Sequence, residues 1–450
     1  MNLGTNNKIQ KKGITLVIPN PCGNIKETKM KNSGIEWIGE IPDDWESIRL
    51  KYIYSTTKAK LPKQFYDDKN LTPYLSMDFI RDSINTEPVY AKDGDYCSEE
   101  DILILWDGSN AGEIVFNHPV GYAPSTTAIL KKLSTQSLPV YDKFYLKALE
   151  DDLRRNTNGM GIPHVNGSYL NNSLFLLPPK STQQRIASYL DKKCSKIEET
   201  IQNQQQVIEK LKAYKQSLIT EAVTGKVKIE NGKACGEYES YKDSGVEWIG
   251  KIPSEWEVKK LKFSSQIMRG LFSHRPRNDP DYYDGVHPFI QTGEVARAVK
   301  YITTYSQTLN ELGFSVSREF PAGTVLLTIA ANVGDVAILD FNACFPDSVI
   351  GFYPKENVSK IFMFYVLKSM KEQFMRNAII STQMNLNINI VKEEFIPLPS
   401  LAEQKEIVKF LEKKSDYIDT AIEQKQNLIE KLTEYKKSLI YECVTGKKEV

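Results

Sequence analysis

The chain has 450 residues, 41% hydrophobic and 26% charged, with 58 Lys and Arg against 57 Asp and Glu. That length and apolar content suffice for two or three separate cores. A formal net charge of +1 excludes attraction of nucleic acid by global charge but leaves local basic surfaces open. The six cysteines (positions 22, 97, 194, 235, 344 and 443) include no CxxC pair, and the four histidines (118, 164, 274 and 287) have no ligand spacing. Neither a disulfide framework nor a metal site is therefore expected, and reduced thiols are the default. With no signal peptide and no apolar run of membrane length, the sequence reads as a soluble, cytoplasmic protein without a membrane role.

Residues 1–30 are polar, rich in Lys, Asn and Gly and interrupted by Pro19 and Pro21, and read as an irregular extension. A strap follows, Lys31-Asn32-Ser33-Gly34-Ile35-Glu36-Trp37-Ile38-Gly39-Glu40-Ile41-Pro42 and then Trp45. It returns 211 residues later as Lys242-Asp243-Ser244-Gly245-Val246-Glu247-Trp248-Ile249-Gly250-Lys251-Ile252-Pro253 and Trp256. Paired Trp, Gly and Pro at fixed spacing suggest a turn whose indoles anchor it to a core.

From 46 to about 180 the pattern is mixed. Residues 101–106 and 125–130 read as buried strands, 143–155 has helical spacing, and 173–177 is strand-like before Pro178-Pro179. The second half repeats this order with little identity: strand 323–329, a small-residue loop 330–334, strand 347–352, helix 361–375, strand 395–398, and Pro399.

Two long amphipathic stretches close the halves, 181–226 and its copy 221 residues on. The first carries Leu190, Ile197, Leu211 and Leu218 at one heptad position and Ile201 and Ile208 at another. The second carries Leu411, Ile418, Leu432 and Leu439 beside Ile422 and Ile429. Gly appears only at the closing Thr-Gly-Lys, where a helix C-cap belongs. Such helices need a partner for their apolar stripe, and each is the natural partner of the other over roughly 65 Å; the repeat order allows a parallel pair, but an antiparallel one is favoured because it leaves room between the modules. Gln204 and Lys425 interrupt the two stripes near mid-helix. Polar residues at a seam specify register, so these two are expected to meet.

The expected layout is an extension (1–30), a first globular domain with its strap (31–179), a central helix (180–228), a linker (229–241), a second domain with its strap (242–399) and a C-terminal helix (400–450). The fold class is α+β, with two pseudo-symmetric globular α/β domains separated by two long antiparallel coiled-coil helices. Helices and straps stay alike while the globular parts diverge, as when two modules on one frame read different things.

At this point the chain resembles the specificity subunits of type I restriction–modification systems. The resemblance rests on Ser33-Gly34-Ile35-Glu36-Trp37-Ile38-Gly39 with Ile41-Pro42 and Trp45, and on their second copy. It rests equally on Ile396-Pro397-Leu398-Pro399, Glu403-Gln404, Ile407 and the closing Val444-Thr445-Gly446-Lys447. The first copy departs, with Leu176-Leu177-Pro178-Pro179 and Gln183-Gln184 where Glu-Gln is usual, and 381–386 looks like a segment common before the last strand of such modules. The resemblance implies two target-recognition domains, each reading one half of a bipartite, asymmetric site in double-stranded DNA. It implies helices that set the spacer and dock two modification subunits, and it implies no catalytic residue in this chain. S-adenosylmethionine, ATP and Mg are expected on partner subunits, among them a restriction subunit.

Within that reading, candidate DNA contacts are the residue types that hold phosphates or pair with base edges. In the first domain they are Lys58, Lys60, Lys63, Ser109, Asn110, Arg154, Arg155, Asn156, Asn158 and His164. In the second they are Arg269, His274, Arg275, Arg277, Asn332, Gln383, Asn385 and Asn387. Two rival readings do less well. A stand-alone methylating enzyme needs a glycine-rich cofactor loop and an Asn-Pro-Pro or Asp-Pro-Pro motif, which the sequence lacks. Gly159-Met160-Gly161 is no dinucleotide loop, and Glu257-Val258-Lys259 is a lone fragment of a nuclease pattern. A structural coiled-coil adaptor explains the helices but not the divergent modules.

Overall fold

The computed structural model describes residues 29–159, 161–380 and 384–450. The extension up to residue 28, Met160 and Gln383 lie outside the described residues, as does the side chain of Asn385. Two compact units emerge: residues up to Asn203 with Asn427–Val450, and Gln204–Gln426. Each unit therefore takes part of both long helices, Lys180–Val223 and Leu401–Val444, which have 44 residues each.

In the first unit a four-stranded antiparallel sheet runs in the order Ile114–Val115, Ile102–Leu105, Thr127–Lys132, Tyr54–Lys58. Ile102–Leu105 is a run of four buried residues, the mark of a strand covered on both faces. Helix Pro139–Arg155 packs Tyr141, Tyr145, Leu146 and Leu149 into the core, with Pro139 in its first turn, where a missing N–H costs nothing. In the second unit the corresponding sheet runs Ser265–Arg269, Val349–Pro354, Val325–Thr328, Val336–Leu339, with Tyr301–Ile302 added in parallel at the edge. The helix expected over 361–375 is in fact two, Lys360–Ser369 and Lys371–Asn377, divided at Met370. Met370 is fully buried, and apolar spacing continues through the break, so hydrophobic periodicity alone does not reveal it.

The modules diverge in what surrounds these sheets. The first builds a separate five-stranded sheet from short segments, four between Phe65 and Cys97 and a fifth, Gly121–Tyr122, that follows Ile114–Val115 in the chain. The second has the hairpin of Tyr283–Pro288 with Thr308–Leu309 and the short helices Thr292–Arg297 and Glu311–Ser315.

Within each unit the long helices run antiparallel. In the first, Lys436 pairs with Glu198 and the Lys448 ammonium lies over the Tyr189 ring. In the second, Lys215 bonds Asp419 at 2.6 Å, and Lys425 Nζ donates to Gln204 Oε1 at 2.9 Å. Leu190, Ile197, Ile208, Leu218, Leu411, Ile418 and Leu439 are buried, and Ile201, Leu211, Ile422, Ile429 and Leu432 are half-buried.

Each strap closes the end of a long helix. Met30–Asn32 pairs with Glu40–Pro42, and Tyr241–Asp243 with Lys251–Pro253. Trp45 and Trp256 are buried behind them, so truncating Trp256 to Ala would cost about 3–5 kcal/mol. At the helix ends Lys226 N–H donates to Glu221 O and Lys447 N–H to Glu442 O, both at 2.9 Å, the long bond of a Schellman cap. The cap glycines Gly225 and Gly446 have φ of +73° and +72°. A Cβ there would stand 2.4 Å from Pro253 Cδ and 2.3 Å from Pro42 Cδ, respectively. Only glycine satisfies both demands.

Candidate nucleic-acid interface

Antiparallel pairing brings three loops to one end of each sheet. In the first module Lys58 opposes Ala128, and Leu105 opposes Thr127. The ends of strands Tyr54–Lys58 and Ile102–Leu105 therefore meet the start of Thr127–Lys132. The loop after helix Pro139–Arg155 reaches the same place, because Val165 N–H donates to Trp106 O and Gly108 N–H to Pro163 O.

Asp107 organises this end. Lys58 Nζ lies 2.9 Å from its carboxylate, and His164 Nδ1 donates to it at 2.6 Å. Partial burial acts to raise the Asp107 pKa, but the bonds from His164 and Lys58 outweigh it and hold the group below the ordinary carboxylate value. Ser109 is exposed and Asn110 half-buried on the adjoining loop. Asn158 exchanges both backbone bonds with His164 at 2.8 Å. Arg154 lies 3.9 Å from Glu113, which also meets Arg81 at 3.4 Å. Arg155 reaches Asp152 at 3.8 Å, and Asn156 caps the helix by donating to Asp152 O at 2.9 Å. Lys60 and Lys63 are exposed just past Lys58, with their backbone N–H groups on the Asp95 and Asp93 carboxylates.

In the second module Asp347, next to the start of Val349–Pro354, plays the organising part. Its carboxylate meets Arg277 and, at 3.5 Å, Arg275, while its backbone O accepts from Arg269 Nε at 2.5 Å. Arg275 also donates to Phe272 O at 2.6 Å, and Phe272 is buried among Tyr282, Tyr283 and Phe289. His274 stacks on Tyr282 with ring centroids 3.8 Å apart and meets Asp279 at 3.0 Å. Asn332 is exposed on the loop after Val325–Thr328. Asn387 is the N-cap of helix Ile388–Glu393, its side chain accepting from Asn389 N–H at 2.8 Å.

Several participants were not among the sequence candidates. Asp107 and Asp347 are acids, which repel phosphate and act here by holding the cations beside them. Arg318 joins the second cluster, donating to Arg269 O at 3.3 Å. Its sequence neighbours give no hint, because a backbone bridge between Phe272 and Ser317 brings it there.

Two modules of one build, each presenting cationic and amide side chains at one end of its sheet, define a duplicated recognition chain. The model of the type I restriction modification DNA specificity domain matches twice, over residues 42–212 and 253–432. The chain belongs to this family, the DNA-specificity subunits of type I restriction–modification systems, which recognise DNA while the catalytic activities lie on other subunits. Among curated relatives, the type I restriction enzyme MjaVIII specificity subunit of Methanocaldococcus jannaschii is 28% identical over 84% of this chain and 88% of its own length. The EcoBI specificity subunit of Escherichia coli is 24% identical over 89% and 85%. A solved chain from work on complex assembly and conformational transition of the type I R-M system shares the fold. It has a TM-score of 0.66 at 14% identity and covers 91% of this chain and 99% of its own.

Proposed function

We propose that the two modules, 31–179 and 242–399, each read one half of a bipartite, asymmetric DNA target through the loops at the described sheet ends. The long helices set the unspecified spacer between the halves and dock two modification subunits. The observation that carries this is the contrast between Asp107 with Lys58 and His164 in one module and Asp347 with Arg275 and Arg277 in the other. Equivalent sheet ends present unlike cationic groups, as an asymmetric target requires, and arginine pairs best with guanine edges. S-adenosylmethionine belongs on the modification subunits, with ATP and Mg on a restriction subunit, and the assembly works in the cytoplasm.

Methylome sequencing of cells that express the chain with its modification subunit tests this reading. A methylated bipartite motif with two unlike halves is expected. Its absence, together with no binding of duplex DNA by the assembled complex, would leave the helices as those of an adaptor.

A further inference from the structure

The loop after the second sheet strand is built the same way in both modules, although little around it is shared. Gly112 N–H donates to Leu105 O at 2.8 Å, and Gly334 N–H to Thr328 O at 3.0 Å. Glu113 N–H donates to Asn110 O and Asp335 N–H to Asn332 O, at 3.0 and 3.3 Å. Leu105 and Thr328 return the bond to the backbone oxygens of Glu113 and Asp335. The glycines have φ of +93° and +89°. Beneath the loops Ala111 and Val333 are buried, at 3% and 4% exposure. The following acid is in each case tied to a cation on the module's helix, Glu113 to Arg154 and Asp335 to Lys371, the latter at 2.6 Å. The stems of those cations also pack on the glycines: a Cβ at Gly112 would stand 3.1 Å from Arg154 Cγ, and one at Gly334 3.0 Å from Lys371 Cγ. The common element is thus Asn, a small apolar residue, Gly and an acid, braced by a helix cation.

At the tip of this element stand Asn110 and Asn332. Among the described residues, neither the side-chain amide nor the backbone N–H of either has a hydrogen-bonding partner. The brace is well satisfied and its tip is open. A feature alike in two modules that read unlike sequences cannot supply the difference between half-sites. What two half-sites share is the phosphodiester backbone, and phosphate contacts fix position without sequence information. The N–H groups of Gly112, Glu113, Gly334 and Asp335 are already bonded within the loops, so what each tip offers is the asparagine's own backbone N–H and side-chain amide, both of them donors that phosphate oxygens accept from. The paired cations Arg154 and Lys371 offset the charge of Glu113 and Asp335 at the same place.

We propose that Asn110 with Arg154 and Asn332 with Lys371 form two matched phosphate clamps, one per module, each holding one DNA phosphate irrespective of base sequence. This inference rests on the DNA-specificity reading and assigns these residues to positioning, while the Asp107 and Asp347 clusters carry discrimination.

The test uses the full chain assembled with its modification subunits and two duplexes of equal length, one carrying the methylated motif and one scrambled. Asn110→Ala and Asn332→Ala are each expected to weaken binding to both duplexes by a similar factor of about ten and to leave the methylated motif unchanged. Asn332→Asp, nearly isosteric but negative, should weaken both further than the alanine variant. Lys371→Ala should weaken both and reduce the slope of log affinity against log salt by about one. A changed methylated sequence would make the asparagines base readers and overturn the proposal, as would unaltered affinity in the alanine variants or an aspartate that binds as well as alanine. If the unsubstituted complex binds neither duplex and methylates no motif, the specificity reading itself has failed. If it does both and the variants are silent, only the clamp has failed.

Discussion

Lys425 Nζ donates to Gln204 Oε1 at 2.9 Å, each side chain standing where the heptad stripe of its helix would carry an apolar residue. Both are half-buried. A polar pair at a seam lowers stability and selects one register. Replacing both, Gln204→Leu with Lys425→Leu, should raise the free energy of unfolding by about 1 kcal/mol, whereas Gln204→Leu alone should lower it by a similar amount, because the ammonium keeps its burial and loses its acceptor. Denaturant unfolding of the four-member cycle gives the coupling. If the two single changes simply add, the pair does not set register.

The cap glycines offer a second measurement. Gly225→Ala and Gly446→Ala each combine a left-handed backbone with a Cβ driven onto proline, and each should cost about 2–3 kcal/mol. Gly39→Ala is the control: its φ is +76°, but nothing lies within 4 Å of the added carbon, so only the backbone cost of about 1 kcal/mol applies. Thermal unfolding that ranks all three alike would show that the proline contact yields without cost.

Asp107 predicts a pH dependence. Its carboxyl is held below the ordinary value by His164 and Lys58 against the opposing effect of burial. A carboxyl lowered in the folded state contributes stability above the unfolded pKa of about 3.9, and that contribution is lost as pH falls through the lowered folded value. Asp107→Asn should therefore cost about 0.5–1 kcal/mol at pH 7. The gap between variant and parent should narrow below about pH 4. Urea unfolding at several pH values checks this, and a gap that widens on acidification would contradict it.

The frame was largely legible in the sequence because duplication exposes it. Heptad spacing marked both long helices to within a few residues, and the Trp straps and inner strands announced themselves by repetition and apolar runs. Residue-level equivalence was harder. The resemblance set Gln183-Gln184 against Glu403-Gln404, whereas the 221-residue offset of the long helices sets Gln183 on Gln404, and the hydrogen bonds follow the offset. Gln183 bonds Leu138 N–H, Gln136 O and Pro178 O; Gln404 bonds Ser359 N–H, Asn357 O and Pro399 O. Both are buried while Gln184 is exposed. The shared Asn-Gly-acid loop is not legible in the sequence because its brace, Arg154 or Lys371, lies some forty residues away and is joined only by folding.

The second module's arginines give the most direct functional prediction. Arg275 and Arg277 converge on Asp347, with Arg275 further held by the backbone oxygens of Phe272 and His274 at 2.6 and 2.7 Å. Side chains fixed in this way lose less freedom on meeting a base edge than free surface arginines would. Arg275→Ala with Arg277→Ala should cost about 1–3 kcal/mol of discrimination for each base contact removed, relaxing or abolishing one half of the methylated motif. The half read by the first module should be unaltered, since its own cluster is built from Lys58, Asp107 and His164. Asp347→Asn removes the charge that gathers the arginines while leaving both in place, and should relax the same half-site to a smaller extent. Methylome sequencing of cells carrying each variant reads both halves at once. An unchanged motif in the double variant would remove Arg275 and Arg277 from base recognition, and a change confined to the other half would reverse the assignment of modules to half-sites.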